Sequence, residues 1–323
     1  MITITRRSAL GGLSALISAP LFAQQPWPTR PLKLVVGFPA GGPVDTVSRI
    51  IGESLSRRLS QPIVVENKPG ATGTIAAAQV AHAVPDGYTL TVLPGTFAAS
   101  AAMFRKLPYH PLNDFSWIST IAEFPYLLVT YSGHPCASIA DLINTAKSAS
   151  TPLHFGTSGV GSVQHLSGEL FANIANIKLQ HVPYRGGMPA ITDLLGKRLD
   201  FVIDQPTALM EFVRDGRLRA LAVTGSNRFF GLPDVVTVSE AGFPGYNVTS
   251  WQGLAAPAGL ARAILDRLNS ELAGVLAEPQ FAERLRALGN EPEISTGNAF
   301  KARVASDIEV WNKVVADANI EQN

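Results

Sequence analysis

A chain of 323 residues is longer than one ordinary core requires and suits two lobes. Its 46% hydrophobic and 16% charged content fits a packed globular protein, not a disordered one. The formal net charge is +1; without the first 23 residues, which carry Arg6 and Arg7 and no acid, 24 basic side chains face 25 acidic ones. With no run of Lys or Arg and no basic surplus to release counterions, no nucleic-acid partner is expected.

The N-terminus has the pattern of an export signal. Arg6-Arg7 give a positive start, Leu10 to Phe22 form a short apolar stretch broken by Gly11-Gly12, and Ala23 is a small residue for cleavage before Gln24. The stretch is too short and too marked by Gly and Pro to span a bilayer, and it has no polar face. Residues 1–23 are therefore expected to be a signal peptide removed on export to the periplasm, with the twin-arginine and general routes both open. No later segment reaches membrane-spanning length, so the mature chain is expected to be soluble.

From Gln24 to Arg30 the chain is Pro-rich and is expected to be loosely held. Short β-rich runs then alternate with helical patterns, which predicts α/β lobes with largely parallel sheets. The expected strands are Leu32–Phe38, Ile63–Glu66, Thr89–Leu93, Tyr126–Tyr131, Leu153–Gly156, Leu179–Pro183, Phe201–Asp204 and Leu218–Thr224. Three apolar stripes at helical spacing read as core faces: Val44, Val47, Ile51, Leu55, Leu59; Leu260, Ile264, Leu268, Leu272, Val275; and Phe300, Val304, Ile308, Trp311, Val315. Cys136 is the only cysteine, which excludes an intrachain disulfide and a CxxC site and leaves a small packed residue or a lone thiol.

One arrangement recurs: a strand, a Gly-rich loop, then a helix. It occurs in LKLVVGF-PAGG-PVDTVSRI (32–50), IVVEN-KPGATG-TIAAAQV (63–80) and LHFG-TSGVG-SVQHLSGELF (153–171). Helices begin with unpaired N–H groups and a partial positive charge, and glycine lets an anion approach them without a Cβ in the way. Three such loops can converge on one carboxylate, with Thr72, Thr157, Ser158 and Ser162 as hydroxyl donors. Backbone amides, more than cationic side chains such as Arg185, are expected to hold it. Asp45, near the third helical position, is suited to capping or to a ligand contact. Asp204, at the end of an apolar strand, is suited to orienting a ligand or to a bond between lobes.

Other chemistries fail on spacing. Gly37 and Gly42 fit a phosphate-binding loop until Pro43 takes the Lys position, and Gly159-Val160-Gly161 lacks a third Gly at Gln164. Ser158 with His165 has no third member for a hydrolase triad, so no enzyme is expected. The six histidines show no metal-ligand spacing, so neither a metal nor any other cofactor is expected.

Over positions 28 to 321 the chain resembles the Bug-type periplasmic receptors of the tripartite tricarboxylate transporter family. The resemblance is carried by GFPAGGPVDTVSR (37–49), QPIVVENKPGATGTIAA (61–77), GTSGVGSVQHLSGELF (156–171), HVPYRGGMPAITDLLGKRLDF (181–201) and WQGLAAPAGL (251–260), among others. It implies a two-lobed, flytrap-like α/β fold with the ligand between lobes: 28–125 plus 250–323 as lobe 1 and 126–249 as lobe 2, crossing near 126–131 and 248–255. It implies a carboxylate seated by Phe38, Ala40, Gly41, Gly42, Asp45, Thr157, Ser158, Gly161 and Ser162, with Ala71, Thr72 and Thr96 closing the site and Asp204 at an acidic position. The implied receptor is a monomer that passes a dicarboxylate, tricarboxylate, acidic amino acid or aromatic acid to membrane permease subunits; a sensor role is the alternative. The chain departs from many relatives at Gly95–Met103 and at Gln205-Pro206, both expected to border the cleft.

Overall fold

A computed structural model describes residues 27–322. The expected signal peptide lies outside the described residues. The first part of the chain runs β1 (Leu32–Val36), α1 (Pro43–Leu59), β2 (Ile63–Asn67), α2 (Thr74–Ala81), β3 (Thr89–Pro94), α3 (Thr96–Met103) and β4 (Phe115–Pro125). The middle runs β5 (Leu127–Tyr131), α4 (Ile139–Ser148), β6 (Leu153–Thr157), α5 (Val163–Ala175), β7 (Leu179–Pro183), α6 (Gly187–Leu195), β8 (Phe201–Asp204), α7 (Pro206–Arg214) and β9 (Leu218–Val223). The last part runs β10 (Thr249–Pro257), α8 (Arg262–Leu276), α9 (Pro279–Ala287), β11 (Glu291–Pro292) and α10 (Gly297–Asp317).

Two sheets result, one ordered β11-β4-β10-β3-β1-β2 and the other β7-β6-β8-β5-β9. The chain leaves the first sheet after β4, enters the second at β5, and returns to the first at β10. Both sheets are mixed, which corrects the expectation of largely parallel ones. β1 pairs parallel with β2 and β3, and β6 pairs parallel with β7 and β8. β10 and β5 run antiparallel to both their neighbours. The parallel trios are joined by helical crossovers, which preserve strand direction. β5 follows β4 with one residue between them, so the passage itself, not a crossover, sets its direction.

Sequence periodicity places the core. On α1, Val44, Val47, Ile51, Leu55 and Leu59 are all buried, each contributing about 1.5–3 kcal/mol of transfer free energy. On α10, Phe300, Val304, Trp311 and Val315 are buried, and Phe300 meets both Trp117 and Trp251 edge-on. Gly253 on β10 leaves the room that the Phe300 ring occupies. The long strand β4 escapes the sequence pattern because polar Ser119 and Thr120 interrupt it. Both are buried, and Ser295 bridges them: its amide donates to Ser119 Oγ (2.9 Å) and its hydroxyl oxygen accepts from the Thr120 amide (3.1 Å), while the Thr120 hydroxyl stays unpaired.

Candidate functional site

The first Gly-rich loop ends where α1 begins. Pro43 has no N–H, and the first helical bond runs from the Thr46 amide to the Gly42 carbonyl (2.9 Å). The amides of Val44 and Asp45 therefore precede any helical acceptor. Asp45 is buried and engaged inside the protein: its carboxylate accepts from the Gly41 amide (2.8 Å), Arg49 Nε (2.9 Å) and Asn67 Nδ2 (2.9 Å). Burial alone would raise its pKa, but these hydrogen bonds outweigh it and hold the carboxyl below the usual range. Asp45 thus shapes the loop from behind, and it consumes the Gly41 N–H that sequence reasoning assigned to the ligand. Gly41 has φ +78°, a left-handed turn that favours glycine.

The third loop divides in the same way. Thr157 Oγ1 bonds His181 Nε2 (2.6 Å) and accepts from the Gly159 amide (3.2 Å), entirely within the lobe. Ser162 caps α5: its hydroxyl accepts from the His165 amide (3.1 Å) and donates to the Gly159 carbonyl (2.7 Å). Gly161 packs against Met103 and Phe104. His165 and His181 stack with centroids 3.9 Å apart, and burial lowers their pKa values to about 4 and about 3, the charge of His165 adding to the fall at His181. Neutral and stacked, they buttress the loop. Ser158 alone of this group faces open space.

The second loop carries backbone strain. Ala71 and Thr72 take φ values of +44° and +54°, and Thr72 Oγ1 donates to the Val160 carbonyl at 2.7 Å. That bond ties a loop of the first sheet to a loop of the second.

Between the sheets lie two connected chambers. The inner one, about 280 Å³, is walled by Phe38, Ala40, Gly42, Pro43, Val44, Thr96, Phe124, Tyr126, Ser158, Gln164, Arg185, Gly186, Gly187, Asp204 and Gln205, among others. The outer one, about 650 Å³, shares Phe38, Ser158, Arg185 and Gly186 and adds Ala71 and Thr72. The starts of α1, α3, α6 and α7 all contribute to the inner wall. Their unpaired amides and partial positive charges suit that chamber to an anion. Asp204 is its single acidic residue: its Oδ1 accepts from Gln205 N (2.8 Å) and Gln164 Nε2 (3.1 Å), and burial pushes its pKa up to about 6 against the pull of those bonds. Tyr126 beside it is a buried phenol, pushed up chiefly by burial, with the Asp204 charge adding.

Of the residues expected from sequence, Phe38, Ala40, Gly42, Thr96, Ser158 and Asp204 come together in the inner chamber, and Ala71 and Thr72 line the outer one. Gly41, Asp45, Thr157, Gly161 and Ser162 stand behind the walls, because their polar groups are spent on loop and cap bonds. Gln205 lines the inner chamber, in line with the expectation that Gln205-Pro206 borders the cleft; sequence reasoning missed Gln164, Phe124, Tyr126 and the turn Arg185–Pro189. That turn had a signal: Tyr184-Arg185-Gly186-Gly187 follows β7 and opens α6, a fourth copy of the strand, glycine, helix arrangement. Arg185, expected to hold the ligand less than the backbone amides do, lines both chambers and is exposed.

The description "Tripartite tricarboxylate transporter family receptor" belongs to the family whose model matches residues 47–320. This chain belongs to that family. Among solved structures, this receptor is similar to the periplasmic binding protein BugD, with 34% identity, TM-score 0.87, and 92% of this chain and 100% of that one covered. It is also similar to an R. palustris protein solved with adipate (36% identity, TM-score 0.89, 92% and 100% covered). A third likeness is MatC from Rhodopseudomonas palustris with bound malate (35% identity, TM-score 0.84, 90% and 100% covered). The two-sheet architecture is thus the two-lobed periplasmic-binding-protein fold, and the chain is a Bug-type periplasmic solute receptor, not an enzyme.

Proposed function

We propose that this receptor captures a small carboxylate in the inner chamber and delivers it to the membrane permease subunits of a tripartite tricarboxylate transporter. The observation that carries the reading is the convergence of four helix starts on one chamber of about 280 Å³. The Val44 amide, the Ser158 and Thr96 hydroxyls and Arg185 supply donors there, and charge-assisted hydrogen bonds contribute about 1.5–3 kcal/mol each. The similarity to proteins solved with adipate and malate supports the same ligand class.

In this reading residues 28–125 with 250–323 form one lobe and 126–249 the other. They hinge at the two passages between sheets, and the Thr72–Val160 bond closes the mouth. The protein works as a monomer, and residues 1–23 direct its export. The test is a thermal-shift and native mass screen of the mature protein against a panel of dicarboxylates, tricarboxylates, acidic amino acids and aromatic acids. A carboxylate that raises the melting temperature and adds one ligand mass supports the reading; a panel without any binder contradicts it.

A further inference from the structure

The inner chamber has a second character that an anion seat does not explain. At the end formed by β8 and the start of α7 stands a buried carboxylate with one oxygen unpaired. The Asp204 carboxylate is 3% exposed, and its two hydrogen bonds both fall on Oδ1. Oδ2 lies close against Gly187, where a Cβ would overlap it. No cationic side chain pairs with Asp204 among the described residues. Gln164 and Gln205, 4% and 7% exposed, each leave a side-chain carbonyl oxygen buried without a hydrogen-bond partner. The orientation of Gln164 is fixed, because its NH2 group donates to Asp204 (3.1 Å). All three residues line the chamber whose opposite wall is built from helix starts.

Buried acceptors left unpaired destabilise a protein by about 1–3 kcal/mol each, more for a charged group. A bare diacid would make this worse, because its second carboxylate would meet Asp204 as like charge in a space with little water. A ligand with an N–H or O–H group at that end would reverse the sign.

The geometry points to a ligand that carries a hydrogen-bond donor on its carbon chain, an ammonium or a hydroxyl group, received by the unpaired oxygen of Asp204 while its carboxylate sits on the helix starts. This inference deepens the proposed function and rests on it. The receptor then selects amino- or hydroxy-carboxylates over the unsubstituted acids of equal length, and Asp204 sets that selectivity. Burial that pushes Asp204 up to about 6 agrees with a carboxylate awaiting a donor.

The test is calorimetric titration of the mature protein with two matched sets: succinate, malate and aspartate, and adipate, 2-hydroxyadipate and 2-aminoadipate. The expected result is a preference of about tenfold or more for a donor-bearing member over its unsubstituted parent. Whether the hydroxyl or the ammonium compound leads identifies the donor. Asp204→Asn should erase most of that preference; should this variant fail to fold, Gln164→Met, which removes the amide that holds Asp204, takes its place. The inference is overturned if succinate or adipate binds as tightly as its substituted partners, an outcome that leaves the carboxylate reading standing. It is equally overturned if the preference survives in a folded Asp204 variant. Failure of all six compounds to bind would overturn the inference, while the wider carboxylate panel decides the proposed function separately.

Discussion

The loop at Ala71 and Thr72 offers a measurement of how lobe closure is held. Two successive non-glycine residues in the left-handed region cost about 1–2 kcal/mol each, so the surrounding contacts must hold them there. The Thr72 hydroxyl, donating to the Val160 carbonyl at 2.7 Å, is such a contact, and it joins the two lobes. Thr72→Ala removes the hydroxyl and keeps the backbone strain. Thr72 and Val160 are half-buried, so water can replace part of the lost bond, and the closed form should weaken by about 0.5–1.5 kcal/mol. A closure equilibrium lowered by that amount gives about twofold to tenfold weaker binding of any carboxylate that binds the wild type. Most of the change should be in the dissociation rate. Thr72→Ser keeps the donor and should stay within about twofold of wild type. Stopped-flow dissociation on the three proteins decides the matter. Equal rates for wild type and Thr72→Ala, or a Thr72→Ser variant as fast as Thr72→Ala, would refute the closing role of this bond.

Ser158→Ala should lower carboxylate affinity by about tenfold to a hundredfold with unchanged circular dichroism, because it deletes a hydroxyl on the wall common to both chambers. Arg185→Ala should also weaken binding, and the deficit should shrink as salt is raised, since an exposed guanidinium acts through a screened charge. Asp45→Asn should lower the melting temperature by roughly 2–4 °C at neutral pH, discounted for the exposure of Arg49. The folded-state pKa of Asp45 is depressed below its ordinary 3.8, so the wild type holds this stabilisation above that pH and loses it as pH falls through the lowered value. Melting curves from pH 7 to about pH 3 should therefore converge for the two proteins at the acid end. N-terminal sequencing of the periplasmic protein should find a start near Gln24, whereas an intact Met1 on periplasmic protein would contradict cleavage.

What the sequence made legible was the part governed by period and punctuation. The α1 and α10 stripes, most strand positions and the helix starts followed from apolar spacing, Pro43 and the glycines. The strand β4 was not legible, because Ser119 and Thr120 break its pattern and their partner Ser295 lies far along the chain. Direction was not legible either: antiparallel β5 and β10 arise from how the chain passes between lobes, which no local signal encodes. Within the site, sequence could show that Asp45, Thr157 and Ser162 carry polar groups beside glycine turns. It could not show that those groups are already spent, on Gly41, His181 and Gly159. The choice between cap and ligand contact is made by three-dimensional partners. Gln164 was invisible for the converse reason, since nothing local marks a glutamine whose carbonyl oxygen is left unpaired.

The central claim is that helix starts seat a carboxylate in the inner chamber, and charge is what they recognise. The most direct measurement is calorimetric titration of the mature protein with its best-binding carboxylate and with the amide of that same compound. The account predicts one site per chain for the acid, with the amide weaker by about a hundredfold or more, since a neutral oxygen gains little from helix dipoles or Arg185. Acid and amide binding with equal affinity would contradict it.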